Sequence, residues 1–504
     1  MKWFSRSLIM LMLVSPLETA RAEIRSAAAV KLVDAVKKQD KTALRALLEQ
    51  RVEVNAAEPD GTTALHWAAY MDDPATVDLL IRAGANVKAA NRHGVTPLSL
   101  AALNGSAAVL EMLLNAGADP NAALIEGETA LMTAARTGKV DAVNMLLAHK
   151  ADVNARETTR GQTALMWAAA EGHAGIVQAL TGRGADVRAR STGGLTALLF
   201  TVREGRIDAV RALLKAGADV NETIMRPSAI TRTSIPGYGL GQRPQGSTSA
   251  LVLAVGSAHY ELASVLLDAG ADPNASAQGW TALHQVTWVR RSGQGDNNPP
   301  PQGSGNMNSL ELIAKLVAHG ANVNARMTAK ADMGTTEVNN IGATPLLLAA
   351  RTTDVELIRL LLKLGADPLL PNEDNTTALM AAAGVGTYSP GEDAGTESEA
   401  LEAVRLLWEL GADVNTVNKA GDTPMHGAAY KFFPSVVRFL AEKGARIDIW
   451  NQKNKFGFTP LAIAEGVQRA PSGTGDHIRT SAETAAAIRE AMNGPTATIV
   501  PQAK

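Results

Sequence analysis

A ten-residue signature, Leu-Leu-x-x-x-Gly-Ala-Asp-Val-Asn, recurs along the chain and limits its possible folds more than any other feature. The residues at its glycine position are Gly84, Gly117, Lys150, Gly184, Gly217, Gly270, Gly320, Gly365, Gly411 and Gly444. Where the spacing is shortest, successive positions lie roughly 33 residues apart, and a fixed period of this length is typical of a repeat protein. The chain therefore need not divide into ordinary domains.

A second signature, Gly-x-Thr-Ala/Pro-Leu, precedes the first one in almost every period. Its threonine predicts a helix N-cap, and proline after Thr96 or Thr344 fits the first helical turn. Val77, Leu80 and Ile81 have the spacing of a buried helical stripe, and the glycine that follows suits a left-handed C-cap. Each period therefore predicts two short helices.

The two signatures resemble the ankyrin repeat, most clearly at residues 61–69, 83–86 and 171–173. The resemblance covers nearly all of the expected mature chain and implies an all-α solenoid of stacked helix–turn–helix units with hairpin connections. About twelve units are expected over residues 23–493. They comprise a degenerate N-terminal cap at 27–60, repeats at 61–456 and a C-terminal cap at 457–493. Residues 494–504 are predicted to be a disordered tail.

The amino terminus has the pattern of a secretory signal peptide. Lys2 and Arg6 precede an apolar run at residues 8–14, and Ala20-Arg21-Ala22 fits a cleavage site. We expect residues 1–22 to be removed and the mature protein to be periplasmic or secreted, as in a bacterial-type exported protein. The alternative is an apolar first helix packed on the fold. No later apolar run reaches the length of a membrane span.

Composition removes several classes of function. The absence of cysteine excludes disulfides, cysteine-bound zinc and a thiol nucleophile. A net charge of −2 gives no electrostatic reason to expect nucleic acid. None of the common zinc, nucleophile-elbow or phosphate-loop motifs occurs in the sequence. We therefore expect a protein without catalytic activity, cofactor or metal, and a monomer on its own.

Four consecutive periods, which together run from Gly217 to Gly411, are longer than the others. Their insertions are placed at 223–246 and 327–341, between units, and at 292–308 and 384–399, between the two helices of a unit. The one at 292–308 is rich in glycine, proline and asparagine, a composition that predicts an unpacked, mobile loop. Long loops in a compact repeat are either functional or unstructured, and both alternatives stay open.

Three histidines occupy the same repeat position: His66, His284 and His426. The ankyrin resemblance implies a hydrogen-bonding histidine there, and the three lie too far apart in the stack to share a metal. His173 occupies the turn between two helices, as is usual in that family. Lys150 replaces a capping glycine and predicts a local cost of roughly 1 kcal/mol if the left-handed geometry is kept.

Tryptophans divide into two expected groups. Trp67 and Trp167 fall at the position that normally faces the stack, and Trp408 lies in a second helix, so we expect all three in the core. Trp280 follows a hairpin glycine and Trp288 ends a first helix. These two are expected to be exposed, unless the neighbouring insertion folds over them.

The expected function is an exported, non-enzymatic scaffold that binds a protein or peptide through its concave face and hairpins. Mixed charge with aromatic side chains suits such a partner, because tyrosine, tryptophan and arginine dominate binding hot spots. The alternative is an accessory subunit that regulates a redox or hydrolytic envelope enzyme through the insertions. The candidate partner-binding residues are Tyr70, Met71, Arg136, Arg203, Trp280, Trp288, Arg290, Arg351, Tyr430 and Lys431, with Glu128, Glu171, Glu204, Asp422 and Phe458 on the same ridge.

Overall fold

The computed structural model describes residues 31–224, 248–291, 301–331, 338–387, 394–466 and 480–493. Within these ranges the chain is helical, and extended pairing is limited to isolated bridges such as Thr223 with Ser249. The proposed signal peptide, the tail after residue 493 and most of the first insertion lie outside the described residues. None of the described helices is long and apolar enough to cross a membrane.

The helices follow one another in short pairs. Residues 31–37 form α1, which precedes α2 (Lys41–Glu49). The next pairs are α3 (Ala64–Tyr70) and α4 (Pro74–Arg82), α5 (Pro97–Asn104) and α6 (Ala107–Asn115), α7 (Ala130–Arg136) and α8 (Val140–Ala148), α9 (Ala164–Glu171) and α10 (Ala174–Thr181), and α11 (Ala197–Arg203) and α12 (Ile207–Lys215).

The described residues after the first insertion continue the same pattern. The pairs are α13 (Ala250–Gly256) and α14 (Tyr260–Asp268), α15 (Ala282–Arg290) and α16 (Ser309–Ala318), α17 (Pro345–Arg351) and α18 (Val355–Lys363), α19 (Ala378–Ala383) and α20 (Glu397–Glu409), and α21 (Pro424–Lys431) and α22 (Pro434–Glu442). The one-turn helix α23 (Ile447–Trp450) precedes α24 (Pro460–Ala464) and α25 (Ala482–Asn493).

From α3 onward, each first helix begins at a polar cap. In α7 the Thr129 hydroxyl accepts the Met132 amide at 3.4 Å, and in α17 the Thr344 hydroxyl accepts the Leu347 amide at 3.2 Å. Each such contact satisfies an amide that the helix itself leaves unpaired. The helices then bury leucine and alanine against the neighbouring repeats, as Leu65, Ala68 and Ala69 do in α3. The predicted capped helix pairs are therefore confirmed.

Asparagines join successive hairpins. The Asn154 amide donates to the Gly184 carbonyl at 3.2 Å, while its side-chain oxygen accepts the Asp186 amide at 2.8 Å. Asn274 makes the same two contacts with Gly320 and Asn322. This explains the final asparagine of the repeated signature, because one side chain satisfies two backbone groups of the next repeat.

The histidine prediction is confirmed in its structural form. His66 Nδ1 accepts the Thr63 amide at 3.1 Å, and Nε2 lies 3.0 Å from the Val95 carbonyl of the next repeat. His284 and His426 make the equivalent contacts. Within the described ranges, no group of three or more histidine, aspartate or glutamate side chains could hold a metal ion. Lys150 keeps the left-handed backbone of the glycines it replaces, with φ of 66°.

The described residues fall into two compact units. Unit 1 consists of residues up to Thr192 together with Asp208–Gly217, and unit 2 consists of Gly193–Ile207 and the residues from Ala218 onward. Two expectations about the insertions need correction in unit 2. Residues 301–308 pack against earlier repeats, so that part of the insertion is not an unpacked loop. The insertion at 384–399 ends inside a helix, because α20 starts at Glu397.

Candidate partner-binding surface

The first helices of unit 1 form one continuous surface. Helices α3, α5, α7 and α9 pack side by side, each against the next. Their fourth and seventh residues lie on the same side of each helix because three residues make nearly one turn. We call this surface the open face; it consists of Trp67, Tyr70, Met71, Leu100, Leu103, Thr133, Arg136, Trp167 and Ala170.

Trp67 is fixed in place at one end of the open face. Its indole Nε1 donates to Glu58 Oε2 at 2.6 Å, and Lys37 Nζ, which also pairs with Glu58, lies 4.4 Å from the centre of the ring. Tyr70 meets the same ring edge to face, with centroids 5.9 Å apart. Tyr70 is 51% exposed, so this tyrosine faces solvent while it packs against the fixed Trp67 ring.

Trp167 repeats this arrangement three periods later. Its indole Nε1 donates to Gln162 Oε1 at 2.8 Å, and the Arg136 guanidinium lies 4.9 Å from the ring centre. Arg136 also lies 3.4 Å from Glu128, but its side chain remains exposed. A cation over an indole contributes about 0.5–1 kcal/mol at such a site, so the ring and the charge hold each other in place.

Apolar side chains complete the open face between the two indoles. Leu103, the equivalent of Tyr70 in the next repeat, is 40% exposed, and Leu100 and Met71 are half-buried. Ile125 is exposed on a hairpin of the same unit. Isolated exposed apolar residues are ordinary, but adjacent ones at one repeat position indicate an interaction surface.

The expectation that Trp67 and Trp167 lie in the core is wrong, because both are half-buried on the open face. Trp408 is also half-buried, stacked edge to face on Phe439 with Lys443 Nζ 4.6 Å from its ring centre. Helical spacing could have shown this for Trp67. Leu65, Ala68 and Ala69 form one stripe at three and four residues, and position 67 lies off that stripe.

The expected exposure of Trp280 and Trp288 in unit 2 is wrong as well. Trp280 is 9% exposed and Trp288 7%, and the two rings meet edge to face at 5.9 Å. Trp280 Nε1 donates to Gln285 Oε1 at 2.8 Å. Arg351, Lys431 and Asp422 are also buried, against the expectation that they form part of a recognition ridge.

Described residues of the insertion at 384–399 lie over Lys431 and over the turn after α17. The Lys431 ammonium donates to the Ala394 carbonyl at 3.4 Å, and Gly395 lies against Thr353. A methyl group on Gly427 would lie 2.6 Å from the Val385 amide nitrogen. The insertion at 384–399 therefore passes directly over α21, at the position that Trp67 occupies in α3.

Arg290 belongs to an ion network rather than a free binding surface. Its Nε donates to Asp354 at 2.6 Å, and its two other nitrogens reach Ser309 and Glu356. Asp354 is fully buried, and Arg291 lies 3.6 Å from it and 3.0 Å from Glu399. Partial burial raises the pKa of Glu399, but the Thr396 amide and Arg291 outweigh that effect and hold the pKa below its usual value.

The remaining candidate residues lie apart from one another. Arg203 is half-buried, paired with Glu204 at 2.7 Å and 5.1 Å from the Phe200 ring centre. Tyr430 is half-buried and its hydroxyl accepts the Asn454 amide at 2.8 Å. Glu171 and Glu204 are exposed, and Phe458 is half-buried. Only Tyr70, Met71 and Arg136 of the ten main candidates lie together on the open face.

Three models of one repeat family match the chain. The model described as three copies of the ankyrin repeat matches residues 32–123, 122–191 and 157–224. The single ankyrin repeat matches residues 341–373, and the model of many copies matches residues 394–441. All of unit 1 except its first described residue lies in these matches.

Similar curated proteins include two that carry the same repeat name. A fowlpox virus ankyrin repeat protein is 27% identical over 141 residues, covering 28% of this chain and 18% of the viral protein. Human ankyrin repeat domain-containing protein 63 is 36% identical over 134 residues, 24% of this chain and 30% of that protein. Human protein phosphatase 1 regulatory subunit 27 is 41% identical over 51 residues, which cover 10% of this chain and 33% of that protein. The chain thus spans about a third or less of each of these relatives.

Proposed function

We propose that this ankyrin-repeat chain is an exported, non-enzymatic scaffold that binds another protein or peptide along the open face of unit 1. The observation that carries the proposal is the pair of exposed apolar residues Tyr70 and Leu103 beside a fixed indole, Trp67. Repeat scaffolds are preformed, so binding orders few groups and more of the contact energy appears as affinity.

The open face suggests the chemistry of its partner. Its α3 and α5 part presents Trp67, Tyr70 and Leu103, while α7 presents the guanidinium of Arg136. Neighbouring helices are spaced by about 8–10 Å, so a partner segment with two apolar side chains followed by a carboxylate fits this order. The Arg136 guanidinium lies 3.4 Å from Glu128 and is exposed, so a carboxylate of the partner would compete with Glu128 for it.

Affinity capture tests the binding proposal. The mature chain, residues 23–504, is used to recover proteins from an envelope extract, beside a Tyr70→Ala/Leu103→Ala variant. The matched control replaces exposed leucines of unit 2, Leu369→Ala/Leu410→Ala. We expect the first variant to weaken binding by about 1–3 kcal/mol, as hot-spot truncations do, and the control to retain it. A partner retained equally by both variants would contradict the open face as the binding site.

Export is supported by the pattern of residues 1–22. We expect the purified envelope form to begin at Glu23, and intact-mass measurement checks this. A cytoplasmic chain that still carries residues 1–22 would contradict export. That result would not affect the proposal that the open face binds a partner. Light scattering of the mature chain tests the expected monomer.

The second candidate function is an accessory subunit that regulates an envelope enzyme through the insertions. The name of one similar protein, a regulatory subunit of protein phosphatase 1, favours it. Deletion of residues 223–246 discriminates between the two, because it leaves the open face intact. A changed activity of a copurified enzyme would support the accessory role, whereas unchanged activity with lost binding in the Tyr70→Ala/Leu103→Ala variant would support the scaffold.

A further inference from the structure

Four residues of the second insertion form a strap across an earlier repeat of unit 2. The strap, residues 303–306, lies on the turn between α13 and α14. The Ser304 hydroxyl donates to the Gly205 carbonyl at 3.1 Å, and the Asn306 amide donates to Glu261 Oε2 at 2.8 Å. The backbone of Gly303 lies so close to Ala258 that a methyl group there would clash with the carbonyl oxygen.

His259 holds the centre of the strap. Its Nδ1 accepts the Ser304 amide at 3.0 Å, and its Nε2 lies 3.1 Å from the Arg203 carbonyl. Because Nδ1 accepts, the ring proton must be on Nε2, where it is donated to that carbonyl. Ser304 Oγ also lies 3.1 Å from Nδ1, but this hydroxyl donates its proton to the Gly205 carbonyl. A second ring proton would have to sit on Nδ1, where it removes the lone pair that accepts the Ser304 N–H. The contact therefore requires the neutral ring.

The surroundings of His259 also disfavour a charged ring. Burial lowers the pKa of His259; the Arg203 carbonyl and Glu204 raise it, Arg206 lowers it, and the net shift is downward. Glu261 is the charged group that α14 brings to the strap, and residues 301–308 carry no charge. The neighbouring Tyr260 has its pKa raised to about 12 by burial, so its hydroxyl stays protonated across the relevant range.

We propose that the contact between His259 and Ser304 is an acid-released latch that frees the strap when the imidazole is protonated. Histidine is suited to this because its free pKa is about 6.5. Linkage gives the direction: the closed strap binds no proton at Nδ1, so closure is complete above about pH 6.5 and weakens as the pH falls. Opening increases by at most about tenfold per pH unit below that value.

Release would change a cavity of unit 2. Residues 303–305 of the strap line a cavity of about 520 Å³, together with Met307, Tyr260, Val289 and Arg291. Opening of the latch at acid pH would therefore increase access to this cavity. His173 is the matched comparison in unit 1, since its Nε2 also lies 3.1 Å from an arginine carbonyl, that of Arg136. Among the described residues no strap amide is donated to its Nδ1.

Hydrogen exchange of the full mature chain tests the latch. Protection factors, corrected for the intrinsic effect of pH, are measured for peptides covering 303–307 and α14 between pH 7.5 and pH 5.5. We expect protection of the strap to fall by about fivefold to tenfold, reversibly, while α14 keeps its protection.

His259→Gln is the decisive variant. Its amide can accept from Ser304 and donate to Arg203 without titrating, so the strap should be protected equally at both pH values. His173→Gln should leave the pH dependence of the strap unchanged, and Ser304→Ala should lower protection at both pH values but keep the dependence. A wild-type strap with constant protection would overturn the latch, as would the same pH dependence in His259→Gln.

Discussion

The two units present the same repeat positions in opposite ways. The fourth residue of the first helix is half-exposed in α3, α5 and α9 of unit 1, but it is buried in every described first helix of unit 2. The seventh residue shows the same contrast, because Tyr70 of α3 is 51% exposed whereas Trp288 of α15 is 7% exposed. At α21 the difference comes from the insertion at 384–399, because Val385 lies against Gly427. A repeat scaffold can thus be closed locally by its own loops without any change of fold.

Replacing the covered indole should have the largest effect on stability. Trp288→Ala removes a ring that packs against Trp280 and should lower the free energy of unfolding by about 3–5 kcal/mol. Trp67→Ala in unit 1 should lower the free energy of unfolding by about 1–2 kcal/mol, because the substitution removes a half-buried ring and one hydrogen bond to Glu58. Urea denaturation by circular dichroism measures both, with hydrogen exchange of α3 and α15 locating each loss. Equal costs would contradict the open and covered assignments.

The same contrast applies to ion pairs. Asp354→Asn keeps the shape and the helix cap but leaves Arg290 and Arg291 without their buried carboxylate, which should cost about 3 kcal/mol. Glu128→Gln removes the half-buried carboxylate that pairs with the exposed Arg136 and should cost less than about 1 kcal/mol. Thermal denaturation at two salt concentrations checks this. A large salt effect on the Asp354 variant alone would show that its network is solvated.

Acid should destabilise unit 2 more than unit 1. Burial lowers the pKa of His284 and of His426 to about 4. Burial also lowers the pKa of His66, but by a smaller amount. A neutral buried histidine stabilises the fold fully above the unfolded pKa near 6.5, and this contribution declines as the pH falls towards 4. At pH 5 each of the two should have lost about 2 kcal/mol. Hydrogen exchange of α15 and α21 against α3, at pH 7.5 and pH 5, measures the difference.

His284→Gln is the control for this pH effect. It removes one titrating group, so α15 should become less sensitive to acid than α21 in the same molecule. The same loss of protection in both helices would show that carboxylates rather than buried histidines cause the acid sensitivity.

The repeat period predicted the fold because it depends on local rules. Threonine caps, proline at the first turn and glycine after the second helix act within one unit, and each was found where the signatures place it. The left-handed backbone at Lys150 followed from the same rule. Such features need no knowledge of distant residues.

The candidate site was harder to predict, because coverage of a position depends on contacts across many residues. Nothing near Trp288 in the sequence indicates that it is buried, and Ser304 reaches Gly205 across 99 residues. The composition of residues 303–306 suggested a loop, whereas its two glycines allow a close fit to the α13–α14 turn. The half-exposure of Trp67 follows from helical spacing alone, because position 67 lies off the stripe formed by Leu65, Ala68 and Ala69.

The smallest effect tests whether the units differ only at their faces. Lys150→Gly should raise the free energy of unfolding by about 0.5–1 kcal/mol, since it relieves a left-handed lysine but adds freedom to the unfolded chain. A methyl group on Gly117 of unit 1 or Gly365 of unit 2 would meet nothing within 4 Å. Gly117→Lys and Gly365→Lys should therefore cost the same amount, about 1 kcal/mol, from backbone strain alone. A larger cost at Gly365 would show that the insertions also reach the caps of unit 2.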